Sequence, residues 1–263
     1  MTYSIGIDSG STATKGILLA DGVITRRFLV PTPFRPATAI TEAWETLREG
    51  LETTPFLTLT GYGRQLVDFA DKQVTEISCH GLGARFLEPA TRAVIDIGGQ
   101  DSKVIQLDDD GNLCDFLMND KCAAGTGRFL EMMAKTLGLS LEEMSVKGLE
   151  WKHNIVISSM CTVFAESEVV SLVAQNKDVA DIIHGLNVSV ASKVGALAAR
   201  LGKDHPGEYM MTGGVAKNRG IIQALEEKLG AKLYICDEAQ LCGALGAALF
   251  AYEKCKGSAE ETR

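Results

Sequence analysis

The sequence predicts an α/β protein of two structurally related halves that face each other across a cleft, and three observations carry that prediction. A strand, Asp-x-Gly turn, strand unit occurs twice: Ile7-Asp8-Ser9-Gly10 through Lys15 to Leu19 recurs as Ile95-Asp96-Ile97-Gly98 through Lys103 to Leu107, in register at a constant offset of 88 residues. Self-similarity at a fixed offset marks a repeated architectural unit. Each copy opens a β-meander, and each meander is followed by segments with apolar residues at helical spacing. The boundaries that follow are a first half over 1–90, a second half over 91–253 and a flexible tail over 254–263.

The elements read in order. Ser4 to Asp8 is a strand, Ser9-Gly10-Ser11-Thr12 a tight turn, Ala13 to Leu19 a second strand, Asp21-Gly22 a hairpin turn and Val23 to Val30 a third strand. Pro31, Pro33 and Pro36 close the meander, and Ile40, Trp44, Leu47 and Leu51 then share one helical face. Leu57 to Leu59 is a strand, Gly61-Tyr62-Gly63-Arg64 a glycine turn, and Ser78 to Leu87 a helix whose Cys79 and His80 serve packing. After the second meander, a helix is expected from Ala123, a strand-like piece at Ile155 to Ile157, and helices over Ser171 to Val179 and Ala180 to Leu201. Strand Tyr209 to Thr212, helix Asn218 to Leu229 and a closing helix Asp237 to Glu253 complete the chain.

Composition excludes several classes. With 263 residues, 46% hydrophobic and 23% charged, the chain buries a sizeable core. A net charge of −8, a pI near 5.1 and no Lys/Arg block argue against nucleic acid or a membrane surface as partner. No leader pattern or apolar run of membrane-spanning length stands out, which predicts a cytoplasmic protein. Seven cysteines, widely spaced and without a C-x-x-C, fit neither a disulfide framework nor a metal cluster built within one chain.

The duplicated turns suit phosphate. Gly10-Ser11-Thr12 and Gly98-Gly99-Gln100 expose successive backbone N–H groups, and glycine lets phosphate approach the backbone closely. Asp8 and Asp96, at the strand ends, are placed to hold Mg²⁺ through its waters, and Lys15 to offset phosphate charge. A third turn, Gly213-Gly214-Val215-Ala216-Lys217, follows a strand and suits the sugar, base or α-phosphate of a nucleotide. No G-x-x-x-x-G-K-[ST] is present, so this is not a P-loop protein.

Two cysteines share a setting. Cys122, in Asn119-Asp120-Lys121-Cys122-Ala123-Ala124-Gly125-Thr126-Gly127, and Cys161, in Ser158-Ser159-Met160-Cys161-Thr162, each follow a polar or small-residue turn and precede a helical pattern. A lone cysteine is usually a small buried hydrophobe. A pair at helix starts, where unpaired N–H groups and the helix dipole favour a thiolate, suits metal ligation instead. Common iron–sulfur clusters take four cysteines, and a twofold dimer offering two per chain supplies them on its axis.

The motifs G-I-D-S-G-S-T-A-T-K (6–15), T-G-Y-G-R (60–64), I-D-I-G-G-Q-D (95–101), M-N-D-K-C-A-A-G-T-G-R-F-L (118–130), S-S-M-C-T-V-F-A-E-S-E-V (158–169) and M-T-G-G-V-A-K-N (211–218) together resemble the activator family of 2-hydroxyacyl-CoA dehydratases and the related ATPase subunits of benzoyl-CoA reductase. The resemblance runs over nearly the whole chain. It implies the fold shared by actin, the heat-shock chaperone ATPases and the sugar kinases, and a homodimer with one Mg²⁺-ATP per subunit and one axial [4Fe-4S] cluster held by Cys122 and Cys161 of each chain. It also implies nucleotide contacts from Ser11, Thr12, Ala13, Thr14, Lys15, Gln100, Asp101, Gly213, Gly214 and Lys217, with Gln100 or Asp101 orienting the attacking water. An electron donor such as a ferredoxin or flavodoxin and a dehydratase acceptor are the implied partners, ATP serving to drive a low-potential electron between them. A small-molecule kinase or a chaperone-like ATPase of the same fold is the alternative, and one fold hosts many functions.

Overall fold

The computed structural model describes residues 1–158, 161–201 and 208–260. In chain order the elements are β1 (Tyr3–Ser9), β2 (Ala13–Ala20), β3 (Val23–Pro31), α1 (Pro36–Arg48), β4 (Phe56–Thr60), β5 (Lys72–Gln73), α2 (Glu76–Leu87), β6 (Ala93–Ile97), β7 (Ser102–Leu107) and β8 (Leu113–Asn119). There follow α3 (Gly127–Leu137), α4 (Leu141–Lys147), α5 (Thr162–Ala174), α6 (Val179–Leu201), β9 (Tyr209–Thr212), α7 (Arg219–Leu229), β10 (Leu233–Tyr234) and α8 (Cys242–Glu260). They form two compact units, one of Met1–Thr91, Leu107–Leu113 and Cys236–Arg263, the other of Arg92–Gln106 and Cys114–Ile235.

The first unit is a five-stranded sheet in the order β3-β2-β1-β4-β5. β1 runs antiparallel to β2, from Tyr3 opposite Ala20 to Ser9 opposite Thr14, and parallel to β4. The period-two alternation of a strand sends Ile5 and Ile7 to one face, where they meet Leu18, Leu57 and Leu59 and the α1 residues Ile40, Ala43 and Leu47. The opposite face places Gly6 directly beneath α8: a side chain there would collide with the backbone of Ala244 and Ala248. Ser4 Oγ, on the same face, donates to Ala248 O at 3.0 Å. α8 also presses on α2, with Gly246 against the Cys79 carbonyl and Gly83 against that of Cys242.

The second unit repeats the plan as β10-β9-β6-β7-β8, with β6 antiparallel to β7 and parallel to β9. The 88-residue offset therefore corresponds to equivalent central strands in two sheets. α6 is long and apolar enough to cross a membrane by composition, but it is a core helix here, burying Ile182, Ile183, Leu186, Val190 and Val194.

Four expectations change. The closing helix, assigned by sequence order to the second half, belongs to the first unit, because its small residues let it lie on Gly6; it also runs through Glu260, beyond Lys254, and residues 261–263 are outside the described part. α3 starts at Gly127 rather than Ala123, because Gly125 adopts the left-handed φ of +98° and Thr126 folds back to bond the Ala123 carbonyl. Ser171 to Val179 is not one helix: α5 ends at Ala174, Asn176 sits at φ +56°, and Asp178 accepts from Ala180 N at the start of α6. Ile155 to Ile157 joins neither sheet and instead lies on α6, with the Ile155 carbonyl against Gly185. Ser159 and Met160, in the turn expected before Cys161, fall outside the described residues.

Where two helices approach this closely, an added methyl has nowhere to go, and overpacking costs about 1–3 kcal/mol. Gly246→Ala, facing the Cys79 backbone, is expected to lower stability by that amount in urea titration; an unchanged midpoint would contradict the packing described.

Candidate functional site

In the first unit the site begins at the end of β1. Asp8 stands opposite Lys15 in the β1–β2 register, and Lys15 Nζ donates to Asp8 Oδ2 at 2.9 Å. The cross-strand position brings the two together without bending either strand. Asp8 is 2% exposed, and its second oxygen, Oδ1, is buried with no hydrogen-bond partner among the described residues. A buried carboxylate oxygen left unpaired is costly, so its position suits a polar ligand, such as a water of a hydrated cation. Gly61, at φ +84°, lies against that oxygen and the Ser9 backbone. Gly243 lies between Asp8 Oδ2 and the ring of buried His80: a Cβ built on it would fall 3.1 Å from the former and 2.8 Å from His80 Nε2.

The turn after Asp8 is tied down from outside the hairpin. Gly10 N donates to Ala13 O at 3.2 Å, Thr32 N to Thr12 O at 2.9 Å and Thr32 Oγ1 to Gly10 O at 2.8 Å, while the buried Thr14 shares a 3.0 Å hydroxyl bond with Thr32. Ser11 and Thr12 are left exposed at its tip, and Ala13 is half-buried. A side chain at Gly10 would fall 2.9 Å from Lys15 Nζ, so glycine there lets the ammonium lie on the turn.

The second unit carries the same pair more deeply buried. Lys103 Nζ, on a side chain only 2% exposed, donates to Asp96 Oδ2 at 3.2 Å and pairs with Asp101 Oδ2 at 2.9 Å. Thr212 Oγ1 donates to the other Asp96 oxygen at 2.9 Å, so both oxygens of Asp96 are held, unlike those of Asp8. Gly213, at φ +86°, lies against Asp96 Oδ1 and the Ile97 carbonyl, which brings the third glycine turn onto the second Asp-x-Gly turn. Gln100, Gly214 and Lys217 are exposed, and Asp101 is half-buried.

The cysteine loop is bonded to that same turn. Gly127 N donates to Gly98 O and Arg128 N to Gly99 O, each at 2.8 Å, so the first N–H groups of α3 end on the phosphate-type turn. Cys122 therefore precedes the helix start by several residues and is held by Asn119, whose side chain donates to Cys122 O at 2.9 Å and accepts from Cys122 N at 3.3 Å. Cys161 is the N-cap residue of α5. Thr136 Oγ1 on α3 donates to Glu166 Oε1 on α5 at 3.0 Å, linking the helices that follow the two cysteines.

Cys122 and Cys161 are both exposed. Cys79 and Cys242 are buried, in keeping with packing, and burial pushes the Cys79 thiol up to about 12. No group of three or more His, Cys, Asp or Glu is gathered for a metal ion among the described residues. Sequence reasoning passed over Thr32, Thr212 and Lys103 as site residues, although the position of Lys103 in the repeat, equivalent to Lys15, was signal enough.

The BadF/BadG/BcrA/BcrD ATPase family model matches residues 5–251. The uncharacterized protein YjiL of Escherichia coli is 68% identical over 250 residues, covering 95% of this chain and 96% of the relative. The (R)-2-hydroxyglutaryl-CoA dehydratase activating ATPase of Acidaminococcus fermentans is 48% identical over 259 residues, covering 96% and 98%. Among solved structures, the activator of the 2-hydroxyisocaproyl-CoA dehydratase from Clostridium difficile with bound ADPNP superposes with a TM-score of 0.92 at 42% identity, covering 100% of this chain and 98% of that one. At 15% identity, a ROK family glucokinase from Streptomyces griseus (TM-score 0.60, 95% and 99% covered) shares the fold alone.

Removing the cation from the buried pair strands two carboxylates, and breaking such a pair costs about 3–5 kcal/mol. Lys103→Met is expected to destabilise the protein by that order in chemical denaturation, well beyond Lys15→Met, whose pair is more exposed. Equal losses would contradict this difference in burial.

Proposed function

Because the chain belongs to the BadF/BadG/BcrA/BcrD ATPase family, we propose that it is an ATP-dependent activator that passes a low-potential electron to a partner enzyme of the 2-hydroxyacyl-CoA dehydratase type. It is an ATPase, and relatives over nearly its full length are dehydratase activators. The observation that carries the finer reading is the pair of hydrogen bonds from Gly127 and Arg128 to Gly98 and Gly99. They join the turn suited to phosphate to the loop that holds Cys122 through a few rigid bonds within one unit.

Cys122 and Cys161, two of the three exposed cysteines, fit half of a four-thiolate iron–sulfur site, the other half being the same pair from a second chain. Cys122 and Cys161 would hold a [4Fe-4S] cluster on the axis of a homodimer; when bound, that group supplies one-electron redox chemistry at low potential. The chain's own residues provide the rest. The turns at Gly10 to Thr12 and Gly98 to Gln100 receive phosphates through backbone N–H groups, with Ala13 and Thr14 next to the first. Lys15 offsets phosphate charge, and Gly213, Gly214 and Lys217 meet the remainder of the nucleotide. Asp8 would hold Mg²⁺ through water at its second oxygen, Asp96 supports the Gly98–Gln100 turn, and Gln100 or Asp101 orients the hydrolytic water. A shift of the Gly98–Gly99 carbonyls as phosphate binds or leaves would move the start of α3, and with it the Cys122 turn and, through Glu166, α5 and Cys161. A ferredoxin or flavodoxin suits the role of donor, and the cytoplasm the location.

Protein purified anaerobically is expected to hold about four iron atoms per two chains. Cys122→Ser and Cys161→Ser should each lose them while Cys255→Ser keeps them; iron retained in both of the first two variants would end the shared-ligand reading. Mg-ATP or a non-hydrolysable analogue should change the rate of iron removal by a chelator about fivefold or more, the lower end of ordinary allosteric coupling. Asp8→Ala should blunt that response with iron content intact. Identical chelation rates and EPR spectra with and without nucleotide would leave an ATPase with no coupling to its metal.

A further inference from the structure

The turn Gly61-Tyr62-Gly63-Arg64 follows β4 and has no part in the nucleotide contacts assigned above, yet it is packed onto the start of the first phosphate turn. Gly63 N donates to Ser9 O at 2.9 Å, and Gly61, left-handed at φ +84°, lies against Asp8 Oδ1 and the Ser9 backbone. A side chain at Gly61 would strike Asp8 Oδ1 and one at Gly63 would strike Ser9 Oγ, so only glycine lets the turn sit this close. The two atoms it covers, Asp8 Oδ1 and Ser9 Oγ, are buried and have no hydrogen-bond partner among the described residues. Desolvated polar atoms of this kind are costly unless a ligand bonds them.

Arg64 ends the turn. It is half-buried, and its Nη1 donates to Gly61 O at 3.1 Å, which directs the guanidinium along the turn. Among the described residues it pairs with no carboxylate. The lysines of the two hairpins differ in this respect: Lys15 shares its charge with Asp8, and Lys103 with Asp96 and Asp101, which reduces the phosphate charge that either can offset. Arg64 keeps its charge whole, on a rigid fork suited to two oxygens of one phosphate.

We propose that Arg64 is a further catalytic residue of the ATPase, contacting the terminal phosphate of bound ATP from the side of the Gly61–Gly63 turn. In hydrolysis a water oxygen bonds to the terminal phosphorus as the bond from that phosphorus to the outer oxygen of ADP breaks; the water gives up a proton, and ADP and inorganic phosphate leave. Negative charge spreads over the terminal phosphoryl oxygens in that transition state, and a guanidinium already held by Gly61 stabilises it without reorganising. The inference rests on ATP hydrolysis and not on the iron–sulfur reading.

The test measures steady-state ATP hydrolysis by the whole protein, and its binding of ADP alone and of ADP with aluminium fluoride, a mimic of the transferring phosphoryl group. Arg64→Ala should lower kcat about a hundredfold, with KM for ATP and affinity for ADP close to those of the unmodified protein. It should also lose the tighter binding that aluminium fluoride gives to ADP. Guanidinium chloride at millimolar concentration should restore part of the rate in Arg64→Ala, which an arginine that merely braces the turn would not show. An unchanged kcat overturns the proposal, and so does a loss of rate that guanidinium leaves unrescued and that ADP affinity and thermal stability share. None of these readouts uses iron or an electron acceptor. Protein that binds no cluster yet responds as expected therefore ends the activator reading and leaves the role of Arg64 standing.

Discussion

The lysine–aspartate pair across the first hairpin of each unit is the constraint around which the site is built. Asp8 opposite Lys15 and Asp96 opposite Lys103 occupy equivalent registers, and each draws a turn of glycine and small polar residues into a fixed shape at the end of a central strand. A buried carboxylate without its cation is expensive, so the pair holds only if both strands keep register. That requirement holds each hairpin rigid at the end of its central strand.

The two copies have diverged in what they leave free. Asp8 keeps one buried oxygen unpaired, whereas Asp96 gives one oxygen to Lys103 and the other to Thr212. Asp96, bonded to Lys103 on β7 and Thr212 on β9, acts as a structural anchor joining β6, β7 and β9. The same anchor brings Gly213 onto the second turn, where a side chain would strike Asp96 and Ile97.

From that second turn the architecture reaches the cysteines in few steps. The Gly98 and Gly99 carbonyls satisfy the first N–H groups of α3, which a helix otherwise leaves open, and Thr136 joins α3 to Glu166 of α5. Val163, Phe164, Val170 and Val173 of α5, the helix that Cys161 caps, remain exposed.

Local chemistry determined a good deal of this by sequence alone. The 88-residue repeat, the strands of both meanders and the Asp-x-Gly turns all follow from short-range patterns: alternation, glycine placement and spacing. Tertiary structure decided what those patterns do not encode. The closing helix joined the first unit because Gly6 admits its backbone, α3 began four residues late because Gly125 turned left-handed, and Lys193 of α6 came to lie over Gly125 and the Phe129 ring from some seventy residues further along the chain. Each depends on which distant atoms share a few ångströms of space, and no periodicity along the chain carries that information.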